Sequence, residues 1–408
     1  MRALPAYLLL YAALYGGWGV LSPFLPAVLA ERGATAEGIG LLLALGIAAR
    51  LVSMPAAGAL ADRLGAPRLV LAVLLLAGAA LGLCYGVVPA GGAAVLPMLL
   101  VGLAQHAATG PIGPLPDALA VRAAAVGRAD GARGCGGLDY GVVRGAGAAA
   151  FIAGAGLAGW AIEAANSSLV VLGLNAGLFA LAAVAVALLP APAADADVRF
   201  RGAAVRDGRL RALLAIPEFR RLLLVSGLIS GSHAFYTGFG TLRWQAAGLS
   251  AEAIGLLWSV SVAAEVAVFF LLGRPLLTRL GPAGLCALAA VAGALRWSVM
   301  ASTAWLPAMF LVQPLHGLTF AAQHLAAMAV LVRVVPNRLA ATGQSAYAFL
   351  GTGIAAAALT LASGPLYARI GAAGYWAMAL LCAAAVPAAL ALRTVDGAPV
   401  ASRLADRR

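Results

Sequence analysis

Lysine is absent from this chain, so all 27 of its basic residues are arginine. Without lysine there is no G-x-x-x-x-G-K loop, and no nucleotide is called for. Charge is scarce too: only 10% of the 408 residues are charged, against 63% hydrophobic, and no water-soluble domain is built that way. Cysteine is almost missing. Cys84, Cys135, Cys286 and Cys382 are scattered without metal-like spacing, which predicts neither a disulfide nor a metal site. The histidines lie far apart with no His-x-x-x-His pair, and no nucleophile elbow or soluble signalling domain is present. These absences argue against a membrane-embedded enzyme or sensor. The net charge of +12 does not point to nucleic acid, because the arginines gather in the loops of one side.

What the chain has instead is apolar runs of about 20 residues or more, each able to cross a hydrocarbon layer roughly 30 Å thick. The runs predict an all-α integral membrane protein with twelve helices. In order they are Leu4 to Leu29, Ala36 to Leu60, Leu69 to Val88, Val95 to Leu119, Leu138 to Ala164, and a sixth ending at Pro190. After them come Glu218 to Gln245, Ser250 to Leu272, Ala283 to Ser302, Trp305 to Val332, Ala341 to Tyr367 and Gly374 to Leu392. The first run is read as a span rather than a cleaved signal, since its removal would place Asp62 and Arg63 outside, against the later arginine bias. With both termini cytoplasmic, about twenty arginines fall in cytoplasmic segments and two, Arg32 and Arg369, outside. Residues 191–217, rich in Asp and Arg, read as a cytoplasmic linker between a bundle at 1–190 and a second at 218–393, with a tail at 394–408.

An internal repeat supports the division. Gly33 to Arg50, GATAEGIGLLLALGIAAR, matches Gly248 to Glu265, GLSAEAIGLLWSVSVAAE, at about half its positions without a gap. The match reaches the next loop, where LADRLGA becomes LLTRLGP with one residue inserted. Two pseudo-symmetric six-helix bundles follow, the parallel-repeat arrangement of secondary transporters.

The loop between the second and third runs, Gly58 to Arg68, is the densest motif. Gly58 and Gly65 flank Asp62 and Arg63, with a further base at Arg68, as suits a short turn held on the cytoplasmic side. It resembles the G-x-L-x-D-R-x-G loop of the major facilitator superfamily and meets every fixed position. Other segments are similar to the phenylpropionate permease branch, related to nucleoside-proton and sugar-proton symporters. They are IGLLLALGIAAR with Arg50, PLPDALA with Asp117, LDYGVVR with Tyr140 and Arg144, and GSHAFYTGF with His233. Further on come WQAAGLSAEAIGLLWS running to Glu265, Arg296 with Trp297, and LHGLTFAAQHLAAM with His316 and His324. After Arg144 the chain departs from the branch by carrying Ala146 and Ala148. Most of the chain is covered, but the motifs say more about the branch than about its cargo.

An ionisable group inside a span is costly and faces protein or a water-filled cavity. Tyr11, Tyr15 and Trp18, at spacings of four and three, share a face of the first helix. The resemblance implies that helices 1, 4, 7 and 10 line a cavity, which would bring that face toward His106, His233 and His316 at a common depth, with Tyr236 near. Each histidine is either a packing residue or a pocket residue, and the aromatic face either packs or binds. Arg50, Arg144 and Arg296 are the buried bases from which a carboxylate ligand would be held. Arg144 and Glu265 reach similar depths on helices that adjoin in this superfamily, so they form either a static pair or one that breaks as access alternates. Glu265, assisted by His233 or His316, is the expected proton carrier. Gly58, Asp62, Arg63, Gly65, Arg68, Asp117, Tyr140 and Arg144 are the expected conformational residues. Asp117 is expected to pair with Arg122 or Arg144, and Glu163 and Arg243 to snorkel at the interface.

The function this implies is a monomeric, cofactor-free, proton-coupled symporter of the inner membrane, importing a small aromatic carboxylate such as 3-phenylpropionate. Its partners are the substrate, protons and lipid. An efflux antiporter for hydrophobic compounds, or a symporter of nucleosides or sugars, is the alternative.

Overall fold

A computed structural model describes residues 3–89, 95–129, 138–190 and 207–392, and no strand occurs among the described residues. Cys135, Arg133, most of the linker and the C-terminal tail lie outside them. The chain separates into two compact units, Met1–Gly202 with Gly248–Ser259, and Ala203–Ala247 with Val260–Arg408.

The first unit contains α1 (Ala3–Leu21), α2 (Leu25–Glu31), α3 (Ala36–Leu64), α4 (Pro67–Cys84), α5 (Val95–Thr109), α6 (Pro114–Ala129), α7 (Tyr140–Ala165) and α8 (Val170–Ala187). Two runs expected to be single helices are broken. The first divides at residues 22–24, beside Pro23 and Pro26; the fourth divides at residues 110–113, among Pro111, Pro114 and Pro116. Each proline withholds an N–H from the carbonyl four residues before it, and its ring crowds that carbonyl. The fourth run also extends past Leu119 to Ala129, so Arg122 belongs to α6 rather than to a loop.

Ends are capped by the local sequence. The Thr35 side chain accepts the N–H of Gly38 at the start of α3, and Asp139 accepts those of Gly141 and Val142 at the start of α7. Gly65 closes α3 at φ 60°, a conformation glycine adopts without steric cost.

The second unit contains α9 (Asp207–Leu214), α10 (Pro217–Gly231), α11 (His233–Ala246), the part of α12 (Ala251–Ala267) from Val260 onward and α13 (Gly273–Ser302). It continues with α14 (Leu306–Val312), α15 (Gln323–Val334), α16 (Ala340–Ala346), α17 (Ala355–Ile370) and α18 (Gly374–Leu390). Widened π-helical turns at Val268–Leu272, Gly317–Ala322 and Tyr347–Ile354 join α12 to α13, lead into α15, and join α16 to α17. The seventh run is interrupted at Ser232, and the tenth at Gln313 and Pro314. Within 191–217, read as linker, α9 supplies a short helix.

Ten stretches are long and apolar enough to cross a membrane, counted over the described residues. Two of them, Ala251–Ser302 and Asn337–Leu390, have 52 and 54 residues. At 1.5 Å per residue each would extend about 80 Å, far beyond one crossing. Both contain a left-handed glycine, Gly281 at φ 66° and Gly371 at φ 55°. Gly281, in LTRLGP, shares a positive φ with Gly65 in ADRLGA but not its ψ, 172° against 19°, so the matching sequences turn the chain differently.

Large apolar side chains point outward. Leu76, Val184, Leu271, Leu311 and Leu380 are all more than half exposed, an outer surface suited to hydrocarbon rather than water. Inside the first unit, Tyr7, Leu10, Tyr11, Leu14, Leu71, Leu75 and Phe179 are packed in one cluster.

Beyond the spans, Glu31 ties α2 to the turn before α8. Its carboxylate accepts the Ser167 hydroxyl at 2.6 Å, the Ser168 N–H at 2.8 Å and the Ser168 hydroxyl. Burial pushes its carboxyl upward, but these hydrogen bonds and Arg32 outweigh burial and hold it below the usual carboxylate value. A depressed folded value means stability that is present above the unfolded value and lost as pH falls through the folded one. The melting temperature of the native protein should therefore drop more between about pH 5 and pH 3 than that of Glu31→Gln. Parallel pH profiles would remove Glu31 as the cause.

Candidate functional site

Each unit holds a buried polar group, and each is built around arginine. In the first unit the face read from spacing is formed by contact: Tyr11 and Tyr15 stack at 5.7 Å between centroids, and Tyr15 meets Trp18 edge-on at 5.1 Å. Arg144, on α7, lies over the Tyr15 ring at 4.4 Å, a cation–π contact. Asp117, on the first turn of α6, accepts the Tyr11 hydroxyl at 2.5 Å and is also hydrogen-bonded by Tyr140. An arginine partner was expected for Asp117; the structure gives it two tyrosine hydroxyls from α1 and α7.

The pair of α3 and α5 is assembled differently. His106 rests on Gly46, where a Cβ would come within 2.6 Å of the ring, and Arg50 rests on Gly110, where a Cβ would come within 2.9 Å of its Cγ. Gly46 and Arg50, like His106 and Gly110, are four residues apart, so α3, and α5 with the residue that follows it, each offer one bulky residue and one glycine to the other. His106 Nδ1 lies 2.9 Å from the carbonyl of Gly102. A carbonyl only accepts, so Nδ1 carries the proton and Nε2 is bare. Arg50 makes no side-chain hydrogen bond or ion pair among the described residues, and its Nε is fully buried without a partner.

In the second unit, Arg296 on α13 is completely buried. Its Nη1 lies 3.1 Å from His316 Nδ1 and its Nη2 donates to Gln313 Oε1. The guanidinium carbon sits 4.5 Å from the ring centres of both Tyr236 and Trp297. Ser261 also donates to Gln313 Oε1, at 3.0 Å. A guanidinium can only donate, so His316 Nδ1 is the acceptor and the proton of this neutral imidazole is on Nε2. That edge faces Glu265, whose Oε2 is 3.8 Å away. The approach depends on Gly317, where a Cβ would come within 2.5 Å of the Ala264 carbonyl; the widened turns beside Glu265 and His316 adjust the two backbones around it.

His233 meets His316 at 5.3 Å between ring centroids. Both its nitrogens are engaged, Nδ1 with the Ile229 carbonyl at 3.0 Å and Nε2 with the Thr319 hydroxyl at 2.9 Å. Of the three histidines read at one depth, His233 and His316 come together in this unit, while His106 belongs to the first.

Gln313 and Ser261, to which the sequence reading assigns no role, complete the Arg296 network. The available signal was a polar side chain inside an apolar run. Glu163 and Arg243, read as snorkelling groups, are fixed ones: Glu163 Oε2 accepts the Ala251 N–H at 3.0 Å, and Arg243 Nε donates to the Met300 carbonyl at 2.9 Å. Of the Gly58–Arg68 motif, read as a loop, Gly58, Asp62 and Arg63 lie on the last turns of α3, and only Gly65 and Ala66 separate it from α4; Arg63 is exposed and Arg68 Nη1 donates to the Leu189 carbonyl at 3.1 Å, past the end of α8. A cation there opposes the negative end of the helix dipole.

Apolar spans with buried arginine, carboxylate and imidazole define a polytopic membrane protein of the transporter class. The MFS_1 like family matches residues 4–378. Among curated proteins, the chain is 32% identical over 375 residues to the probable 3-phenylpropionic acid transporter of Escherichia coli (strain K12), covering 91% of this chain and 93% of that protein. It is 28% identical over 363 residues to the maltose permease of Geobacillus stearothermophilus, covering 88% and 87%. The crystal structure of the nucleoside transporter NupG superposes with a TM-score of 0.76 at 18% identity, covering 98% of this chain and all of that one. The chain belongs to the MFS_1-like family and is a multi-pass transporter of the major facilitator fold.

Proposed function

We propose that this protein imports a small aromatic carboxylate, of the kind 3-phenylpropionate represents, across the inner membrane in symport with protons. It is read as a monomer of twelve spans with both termini cytoplasmic. The observation that carries the reading is the 32% identity to the probable 3-phenylpropionic acid transporter across nine-tenths of the chain. The residues suit such a cargo, because guanidinium groups meet carboxylates with charge-assisted hydrogen bonds and tyrosine and tryptophan faces accept a phenyl ring.

For the proton, Glu265 is the carrier this reading selects. His316 is occupied at Nδ1 by Arg296, and a second proton there would set two cationic donors against each other. Glu265 has an imidazole N–H edge beside it and can exchange a proton without disturbing that bond. Proteoliposomes with an imposed inward proton gradient should accumulate labelled 3-phenylpropionate through the native protein. Glu265→Gln should abolish accumulation while leaving exchange across the membrane intact. Proton-driven accumulation by Glu265→Gln would dismiss the carboxylate from coupling.

A neutral, hydroxyl-rich cargo is the second reading. The neutral groups Ser226, Ser261, Gln313 and Gln323 buried in the second unit favour it, as does similarity to a maltose permease. Uptake of maltose or uridine, with none of 3-phenylpropionate, would select it.

A further inference from the structure

The surroundings of Arg50, Arg144 and Arg296, the three arginines read as bases for a carboxylate, separate them. Arg296 has both terminal nitrogens committed, to His316 and Gln313, and lies against two aromatic rings. Arg144 is spread over the Tyr15 ring. Arg50 has neither arrangement. It stands fourteen residues into the 29-residue α3, about 21 Å along the helix and therefore near mid-membrane. It is seated against Gly110, where the fourth span is broken.

The groups that face it are poor partners for a cation. Ser53 Oγ donates to the Arg50 carbonyl at 3.4 Å rather than serving the guanidinium, and the nearby His106 ring, whose Nδ1 donates to the Gly102 carbonyl, makes no hydrogen bond to Arg50 and carries no negative charge. Asp117, the acid at the start of α6, is already taken by tyrosine hydroxyls. An uncompensated guanidinium at this depth is among the costliest placements available to a side chain. Nothing in the local packing returns that cost, because glycine at 110 accommodates Arg50 without bonding to it. The missing component is an anion.

We infer that Arg50 is the residue that takes the carboxylate of the transported molecule, and that Arg144 and Arg296 are positioning residues whose guanidinium groups are already engaged. This rests on the carboxylate reading of the substrate and goes further by assigning the charge contact to one side chain. It also implies a stability signature. Replacing an engaged arginine leaves partners unpaired, whereas replacing Arg50 removes a partly buried charge that no group among the described residues balances.

The test is equilibrium binding of 3-phenylpropionate and of its neutral isostere 3-phenylpropionamide to the purified full-length protein. Native protein, Arg50→Gln and Arg50→Lys are compared, with melting temperatures recorded in parallel. The native protein should prefer the acid. Arg50→Gln should lose about 30-fold in affinity for the acid, as expected for one charge-assisted contact, and less than about 3-fold for the amide. It should melt no lower than native. Should the glutamine variant fail to fold, Arg50→Lys carries the test: a point charge cannot reproduce the fork, so the acid should weaken about 5- to 10-fold with the amide unchanged. Acid-over-amide preference kept at its native level in either folded variant overturns the assignment and leaves the substrate reading standing. A native protein that binds no aromatic acid overturns both.

Discussion

Gly154→Ala should cost the first unit about 3 kcal/mol or more of stability, and Gly156→Ala, two residues along the same helix, should cost nothing. The difference lies in what a methyl group meets. At Gly154 a Cβ would stand 2.4 Å from the carbonyl oxygen of Gly16 on α1, and at Gly19 a Cβ would stand 2.2 Å from the carbonyl oxygen of Phe151 on α7. A Cβ at Gly156 would have nothing within 4 Å. Backbone cannot rotate out of the way as a side chain can, so α1 and α7 would have to separate by about 1 Å. In lipid that separation is especially damaging, since helices are held by close van der Waals contact without a hydrophobic drive between them. The expected result is a large fall in melting temperature and in monodisperse yield for Gly154→Ala. Gly156→Ala should match native or melt slightly higher through better helix propensity. Equal melting temperatures for the two variants would mean that this crossing is looser than its geometry. A secondary consequence concerns Tyr15 of α1, which packs on Gly147 of α7: moving α7 also shifts Arg144 relative to the ring it covers.

How legible this protein was depends on whether a feature is local. An apolar run of span length is a property of about 20 consecutive residues, so the runs and the repeat could be read directly. The breaks in the first, fourth and tenth runs were legible in principle, as SPFLP, GPIGP and VQPLHG. They were missed because hydropathy averages proline into its neighbours while backbone hydrogen bonding does not. The break at Ser232 has no proline, and no local signal announces it. Glycine spacing could suggest close helix contact but not which helix approaches. For the site, the aromatic face of α1 followed from spacing alone, whereas the bond from Tyr11 to Asp117 joins residues 106 apart and follows from none. The same applies to Arg296: its burial could be anticipated from its place in a span, but its two acceptors could be recognised only by contact.

Arg296→Lys should reduce uptake at least 100-fold and lower the melting temperature together, opposite in stability to the Arg50 variants. The guanidinium does three things that one ammonium cannot do at once. It gives one terminal nitrogen to His316 and the other to Gln313, and lays its plane against Tyr236 and Trp297. Lysine is a compact point charge without the fork, so one acceptor would lose its donor in a fully buried site. An orphaned buried acceptor costs roughly 1–3 kcal/mol, with weakened cation–π contact adding about another 1 kcal/mol. Transport should suffer through His316. Without the Nη1 donor its Nδ1 is free to take a proton, the imidazole can turn, and its Nε2–H is no longer fixed toward Glu265. Initial rates of proton-driven uptake and thermal melts on the same preparations would check both halves. Lost uptake with native melting would confine Arg296 to the transport step, and lowered melting with normal uptake would make the network structural only. If both fall, one arrangement of donors sets the fold and the proton-bearing edge of His316 together.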